Sequence, residues 1–379
     1  MKNPLFLSLC VIMAVIISWP LYADAKRVAE FKVSHPKGTD PHGIRIVEYQ
    51  GRNIIICVIW EHWSSLSVHG IQCYDLRGKQ LQIPQEELEK CVENMVEAIK
   101  FRRRYVLCTR REPWTLALLD RCISPAGKCC WPIDFDKLTL EKAVWTMPLS
   151  HYTDNEDTIS DSMPNYCRFD RNHLTDAASH QESLPIFTSA SSSSRPNMFH
   201  VWGISGRDGK ELAHYGSSKC EDTKKYFLND AIMDASLRHI VVFGETRVQS
   251  KMLLFYESPA QFADGQSCFY FNPTGFDINF DRGFFLSSDI FCFPVEFGGV
   301  RTLTQKCRAL AYSFSKNRII ADIKLSHRLS NPCLTWPQPW CALSPDGKYL
   351  ALGFTRQFCG KTLFSDDLQE WIGIYQLDP

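Results

Sequence analysis

Two histidines and two tryptophans in the segment 60–69 predict a ligand-binding platform. They are Trp60, His62, Trp63 and His69. Strongly apolar, β-branched runs flank this segment, so the four side chains are expected beside a turn between two strands. Imidazoles bind metals, and indoles offer flat apolar surfaces to a ligand. Because two histidines do not define a metal site, the alternative is an aromatic rim that packs on a neighbouring strand.

A second candidate site is a row of oxygen ligands that suggests calcium. Asp277, Asn279 and Asp281 alternate along the chain, and Gly283 follows them. This pattern is typical of a calcium loop, and calcium is the one cofactor that the sequence suggests. The glycine stands one place later than in an EF-hand, and Ser288 occupies the twelfth position, where an EF-hand has glutamate. The same alternation is also typical of a half-buried strand that leads into a turn.

The sequence names no catalytic residue. It has no Gly-x-Ser-x-Gly elbow, no His-Glu-x-x-His zinc helix, no phosphate-binding loop and no dinucleotide fingerprint. Catalytic groups contributed by distant segments would leave no local motif. An enzyme is therefore less expected than a binding protein, although the question stays open.

The charge balance argues against a globally basic nucleic-acid-binding protein. Lysine and arginine total 42, as do aspartate and glutamate, so the formal net charge is zero. Hydrophobic residues make up 45% of the chain and charged residues 22%, which is typical of a globular protein. No nucleic-acid partner is expected.

Residues 1–25 have the features of a signal peptide. Lys2 precedes an apolar core over 5–17, and residues 23–25 (ADA) fit the small-x-small cleavage pattern. We expect cleavage after Ala25 and a periplasmic or secreted protein with no membrane span in the mature chain. The alternative is a retained anchor, because the apolar stretch is close to the length that spans a bilayer. The chain lacks an Asn-x-Ser/Thr glycosylation acceptor, which favours a bacterial periplasm.

Export would place the cysteines in an oxidising compartment, so disulfides are expected. The chain has 16 cysteines, and Cys10 lies in the signal segment, which leaves an odd number, 15, in the mature chain. At least one thiol is then free or pairs between chains, and the connectivity cannot be read from sequence. Cys57 and Cys108 lie inside apolar runs and are expected in the core. Cysteines in predicted loops are the better disulfide candidates: Cys122, Cys129, Cys130, Cys220, Cys268, Cys333, Cys341 and Cys359.

Strand signals dominate the chain, and similar turns recur between them. Short apolar, β-branched runs are separated by Gly, Pro, Asn and Asp. One amphipathic helix is expected over 85–99, although its C-terminal half could instead begin a strand. Four turns carry a Gly-Lys pair, at 75–79, 124–128, 206–210 and 344–348.

Two segments resemble the repeats of β-propellers. Residues 341–354 (CALSPDGKYLALGF) resemble the strand-turn-strand of a WD-repeat or TolB-type blade. Residues 70–81 (GIQCYDLRGKQL) resemble the third strand and following turn of such a blade. The Trp-Asp and Gly-His pairs of WD-repeats are absent, so the resemblance is to the repeat superfamily. It implies an all-β fold, a single β-propeller of six or seven four-stranded blades.

The two ends of the chain suggest how such a ring closes. Residues 371–377 are expected to form a third strand that has no fourth strand after it, whereas 28–34 alternate without a hairpin partner. We expect the mature N-terminal strand to complete the last blade, so that 26–379 form one propeller domain. The polar stretch at 150–197 is expected to be an insertion or a degenerate blade.

A propeller without a catalytic motif is expected to act as a binding scaffold. Its rigid blades would present loops to a partner protein or a small ligand. The alternative is a metal-dependent hydrolase or lactonase with its site in the central channel, built from side chains of several blades. The sequence identifies neither the partner nor the substrate, and it does not give the oligomeric state.

Overall fold

Strands dominate the described residues, as predicted. Within the described part of a computed structural model the chain forms 22 strands and two helices. The described residues are 25–37, 39–61, 68–102, 105–109, 115–119, 143–148, 185–191, 199–217, 226–246, 251–272, 276–278, 283–297, 306–325, 333–358 and 368–377.

The strands follow one another along the described chain. In order they are β1 (Lys26–Lys32), β2 (Thr39–Tyr49), β3 (Arg52–Glu61), β4 (Val68–Asp75), β5 (Tyr105–Thr109), β6 (Thr115–Leu119), β7 (Ala143–Pro148), β8 (Pro185–Ser191), β9 (Phe199–Ser205), β10 (Glu211–Ser217), β11 (Tyr226–Met233), β12 (Ile240–Thr246), β13 (Lys251–Tyr256), β14 (Phe269–Phe271), β15 (Phe276–Ile278), β16 (Phe284–Phe285), β17 (Ile290–Phe297), β18 (Lys306–Ser313), β19 (Arg318–Lys324), β20 (Cys333–Leu343), β21 (Tyr349–Phe358) and β22 (Leu368–Gln376).

These strands form six antiparallel sheets within the described residues. Three sheets have three strands each: sheet A (β2–β3–β4), sheet B (β5–β6–β7) and sheet C (β8–β9–β10). Sheet D (β11–β12–β13–β14) has four strands, and sheet E has five, with β15 and β16 both paired to β17 before β18 and β19. Sheet F has four strands in the order β20–β21–β22–β1.

Sheet F combines the two ends of the described chain. β1 lies antiparallel to β22, from Lys26, opposite Gln376, to Lys32. The backbone N–H of Val33 extends the ladder by donating to the Glu370 carbonyl at 2.9 Å. The N-terminal strand therefore supplies the fourth strand of this sheet, a pairing that the alternating pattern of 28–34 predicted.

Two helices lie outside the sheets. α1 spans Gln85–Arg102 and α2 spans Pro259–Asp264. α1 buries Leu88 and Val92 against sheet A, and these residues belong to its predicted apolar face. The predicted helix over 85–99 is confirmed, including the half that could have begun a strand. Within the residues that the structure describes, no helix is long and apolar enough to span a membrane.

β3 shows how one strand contributes to two packing layers. Its residues from Ile54 to Trp60 are all buried. The odd-numbered Ile55, Cys57 and Ile59 pack toward sheet F, whereas the even-numbered side chains pack toward α1. Successive side chains of a strand point to opposite faces, so a sheet covered on both faces requires such an unbroken apolar run.

The sheets pack against each other in chain order. One apolar cluster joins sheets C, D and E, with Val201, Phe243 and Phe293 among its members. A second cluster joins sheets E and F, and a third joins F and A. Trp145 of sheet B reaches sheet C, where its Nε1 donates to the Gly206 carbonyl at 2.8 Å. Consecutive sheets are thus linked from B, through C, D, E and F, to A.

The prediction for the polar stretch 150–197 falls mostly outside the described residues. Inside them, Pro185–Ser191 forms β8 and pairs with β9 along its whole length. Ser189 and Ser191 of this polar stretch therefore lie in a strand. Whether the stretch is an insertion or a degenerate blade stays a prediction.

Two of the disulfide candidates, Cys268 and Cys341, do not form disulfides. Cys341 lies in β20, where its buried thiol packs as a small apolar group between sheets E and F. The thiol of Cys268 donates a hydrogen bond to the Phe255 carbonyl, with Sγ 3.1 Å from the oxygen. Cys57 is buried in β3, as predicted, and burial raises the pKa of its thiol.

Candidate functional site

The predicted platform at 60–69 is described only in part. Trp60 is fully buried in β3 (0% exposed) and packs in the apolar cluster between sheet A and α1. His69 is an exposed residue of β4. His62 and Trp63 lie outside the described residues. Trp60 therefore has the packing role that was the alternative interpretation, and the platform as a whole stays a prediction.

The predicted calcium loop also lies mostly outside the described residues. Asp277 is part of β15, which pairs with β17, but Asn279 and Asp281 are not described. Among the described residues, no group of three or more His, Cys, Asp or Glu side chains is placed to hold a metal ion. Packing explains the glycine at position 283, because a Cβ there would lie 2.8 Å from Cζ of Phe291. The calcium site stays a prediction.

The described residues also form an aromatic cluster that no sequence motif marks. His200 and Trp202 lie on β9, and His214 lies on the neighbouring β10. Residues two apart on a strand point to the same face, so His200 and Trp202 share one face of sheet C. His214 lies opposite Trp202 in the ladder and shares that face. We call these three residues the imidazole cluster.

The three rings of the imidazole cluster contact each other, and the two imidazoles meet edge to edge through their nitrogens. Nδ1 of His200 lies 3.0 Å from Nε2 of His214. The two imidazole planes are nearly parallel, with an interplanar angle of 9° and centroids 5.3 Å apart. The Trp202 ring lies 5.5 Å from the ring of His200 and 5.1 Å from that of His214. His200 and Trp202 are buried, whereas His214 is half-buried.

A β-bulge places His214 on this face of the sheet. The pairing of β10 with β9 shifts register between Glu211 and Ala213. Without the extra residue, His214 would lie opposite Val201, whose side chain belongs to the apolar core on the other face. If the hairpin at the 206–210 turn is assumed to be regular, His214 is therefore placed on the face of Val201 and not on that of Trp202. The signal that could have found the cluster is the pair of histidines flanking this turn, together with an assumed bulge.

Gly216 makes room for the ring of His200. The two residues are opposite each other in the ladder, and a Cβ on Gly216 would lie 3.1 Å from Nδ1 of His200. The imidazole therefore lies over β10, with Nδ1 close to His214. A side chain at position 216 would have to displace it.

The contact between the two histidines constrains their protonation. A neutral imidazole has one N–H donor and one lone pair. At least one of the rings must be neutral, because two cationic rings would bring two N–H groups face to face. The pair can therefore share a proton.

A buried aspartate supports the turn between β11 and β12. Asp234 is fully buried and accepts from the backbone N–H groups of Arg238 at 2.8 Å and His239 at 2.7 Å. Burial acts to raise the pKa of Asp234, but hydrogen bonds from His239, Ser236 and the turn backbone outweigh it and hold the pKa below its ordinary value. This carboxylate holds the turn together and has no described contact with the imidazole cluster.

Comparisons with known proteins do not assign this chain to a family. No family model matches the chain, and no curated protein matches it. A protein of unknown function from Dyadobacter fermentans aligns over 94% of this chain and 100% of its own, with 10% identity and a TM-score of 0.39. The β-propeller domain of the trilobed protease from Pyrococcus furiosus aligns over 89% of this chain and 69% of its own, with 9% identity and a TM-score of 0.28. The WD40 domain of Toxoplasma gondii coronin aligns over 94% of this chain and 89% of its own, with 9% identity and a TM-score of 0.28.

Proposed function

We propose that the chain is a six-bladed β-propeller closed by its N-terminal strand. Each of the six sheets would be one blade, and the packing of consecutive sheets from B to A gives their order around the ring. The pairing of β1 with β22 supports closure, because it ties the first described strand to the last. Sheet closure of this kind removes open edges that would otherwise pair with other chains.

The propeller is proposed to act as an exported scaffold that binds a partner protein or a small ligand. The observation that carries this proposal is the same strand pairing, because a ring joined at its ends is a rigid support for the loops between strands. The predicted platform of Trp60, His62, Trp63 and His69 is the first surface to test. Since Trp60 is buried, the residues to change are the other three.

A binding experiment tests the scaffold function. The purified wild-type protein and a triple variant are each immobilised. The triple variant combines His62→Ala, Trp63→Ala and His69→Ala. The proteins and small molecules that each one retains are then compared. A variant with Arg77→Ala, at another turn of sheet A, is the matched control. We expect a ligand that wild type and the control retain and the triple variant loses. Equal retention by all three proteins would contradict the platform. Turnover of ester or lactone substrates by the wild type would instead favour the hydrolase.

Ring closure is tested by removing β1. Deletion of 26–33 should abolish cooperative unfolding, because it exposes the edge of β22 and one face of the F–A core. The control is a circular permutant that joins 377 to 26 and opens the chain at the exposed turn after Lys316. It should keep its cooperative transition, since it keeps the β1–β22 ladder. A deletion variant as stable as wild type would contradict closure.

Export and cleavage after Ala25 complete the proposal. β1 begins at Lys26, so cleavage at this position would release the strand at its first residue. N-terminal sequencing of the protein from its producing cell should give KRVAEF. A retained N-terminus in a membrane fraction would favour the anchor.

A further inference from the structure

We propose that removal of the signal segment has to precede the pairing of β1 with β22, so that the formation of this ladder ends the period in which cleavage is possible. The reaction adds one water across the Ala25–Lys26 peptide bond and leaves a carboxylate on Ala25 and an amino group on Lys26. This inference rests on the proposed cleavage after Ala25 and adds the order of two events, cleavage and strand pairing.

The bond to be cleaved lies directly at the first pair of the ladder. Lys26 is opposite Gln376, and Arg27 is opposite Tyr375. On the other side of the bond, Ala25 packs against the apolar cluster that joins sheets E and F. The residues on both sides of the bond are therefore part of the folded structure, with no spacer between the bond and the sheet.

A peptidase needs the same backbone that β22 occupies. An extended substrate enters a cleft and forms main-chain hydrogen bonds there, much as a strand adds to a sheet. A folded substrate is consequently cleaved through a locally open form, at a rate that follows the population of that form. Exposing this bond requires the loss of the two pairs before the bulge at Val28 and of the packing of Ala25.

The remainder of β1 is anchored to two sheets. The Phe31 ring lies 4.7 Å from the ring of Tyr74 in sheet A, measured between centroids. The backbone N–H of Val33 donates to the Glu370 carbonyl of sheet F. Detaching the whole strand therefore opens contacts with both sheets, which limits access to the bond once the ladder has formed.

The distance between the two strands along the chain provides the period for cleavage. Gln376 follows Lys26 by about 350 residues. At about 5–20 residues per second, β22 is completed about 20–70 s after β1 has been synthesised. During this time β1 has no partner, and a signal peptidase has access to the bond. A chain that forms the ladder first keeps its apolar segment, so the released and the anchored forms are alternative products of one competition.

The test compares the rates at which a signal peptidase in detergent micelles cleaves three purified precursors. The first is the refolded full-length chain, and the second is the chain 1–367, which lacks β22. The third is the refolded full-length chain with a short, flexible Gly-Ser spacer inserted between Ala25 and Lys26, which moves the bond away from the sheet and keeps the ladder. Circular dichroism confirms that the first and third are folded, and N-terminal sequencing locates each cut.

We expect the refolded wild-type precursor to be cleaved at least tenfold more slowly than both variants, because only its bond is held in the ladder. Equal rates for the folded wild type and the spacer variant would overturn the proposed order. Slow cleavage of the folded spacer variant would also overturn it, because the resistance would then not come from the ladder. If none of the three precursors is cut after Ala25, the proposed cleavage itself is wrong, and the order of events is wrong with it.

Discussion

The turns at 75–79 and 344–348 share a Gly-Lys pair but differ in what lies over the glycine. Gly78 and Gly347 both have a left-handed backbone, with φ of +83° and +70°. A Cβ on Gly78 would overlap the ring of Phe31, whereas a Cβ on Gly347 would meet nothing within 4 Å. The 206–210 turn resembles the first, because a Cβ on Gly209 would lie 2.7 Å from the Trp145 ring.

The difference separates two uses of one turn sequence. At Gly347 the glycine only closes a hairpin, with its N–H donating to the Ser344 carbonyl at 2.9 Å. At Gly78 and Gly209 the absent side chain also leaves space for an aromatic ring from the edge strand of the neighbouring sheet. Phe31 connects sheet F to sheet A, and Trp145 connects sheet B to sheet C. The same contact is therefore repeated between two pairs of sheets.

The largest expected effect comes from removing the ring that covers Gly209. Trp145→Ala should destabilise the protein by about 3–5 kcal/mol, because it empties a buried space between sheets B and C. Urea denaturation measures the free energy of unfolding. Trp145→Phe keeps a ring and loses the hydrogen bond to Gly206, so it should be the milder variant. A loss below about 1 kcal/mol for Trp145→Ala would show that the contact is not a packing contact.

The two glycines themselves give a direct comparison. Gly347→Ala should cost about 1–2 kcal/mol, since only the left-handed backbone opposes it. Gly78→Ala should cost about 1–3 kcal/mol more, because the new Cβ also displaces Phe31. Thermal unfolding of both variants measures the difference. When Phe31 is already alanine, adding Gly78→Ala should cost no more than Gly347→Ala does in the wild type. Equal losses of stability for Gly78→Ala and Gly347→Ala in the wild type would contradict this account.

A pH-dependent effect is expected from Asp234. Its pKa is lowered in the folded protein, so the charged form contributes stability above the unfolded pKa of about 3.9, and this contribution is lost as the pH falls through the folded pKa. The melting temperatures of wild type and Asp234→Asn should therefore differ most near neutral pH and converge in acid. Asp346→Asn, in the turn at 344–348, should show the same pH dependence of the melting temperature, but more weakly, because Asp346 is exposed. A gap for Asp234→Asn that grows in acid would contradict the assignment.

The smallest effect is local to the 206–210 turn. Hydrogen bonds from Ser205 and then Lys210 lower the pKa of Asp208 to about 2. Ser205→Ala should move this pKa upward, toward the ordinary value, and an NMR titration of the carboxyl group measures it. Lys210→Met tests the second partner and should give the smaller shift. An unchanged pKa in Ser205→Ala would show that the serine does not hold the carboxylate.

Local patterns in the sequence predicted the helices and strands whose formation depends on residues close together in the chain. The apolar spacing of 85–99 predicted α1, and the apolar runs predicted buried strands such as β3. The alternation of 28–34 also predicted a long-range pairing, because a strand without a nearby partner has to find a distant one. These predictions were confirmed because the pattern behind each lies within a short segment of the sequence.

Features set by one extra residue or by a distant neighbour could not be predicted in this way. The bulge between Glu211 and Ala213 inverts the face of His214, and no residue type there requires a bulge. Cys341 was grouped with the cysteines of predicted loops, but it lies in β20, which runs from Cys333 to Leu343. The aromatic cover over Gly78 depends on Phe31, which is distant in the chain and belongs to another sheet.

The pairing of β1 with β22 also determines how the protein responds to mechanical force. Lys26 lies opposite Gln376, so both ends of the ladder leave sheet F on the same side. Pulling these ends apart loads the hydrogen bonds one pair at a time, from that side inward, instead of loading the whole ladder together. A protein tethered through its two termini would therefore peel open like a zipper at low force, however well its core resists heat or denaturant.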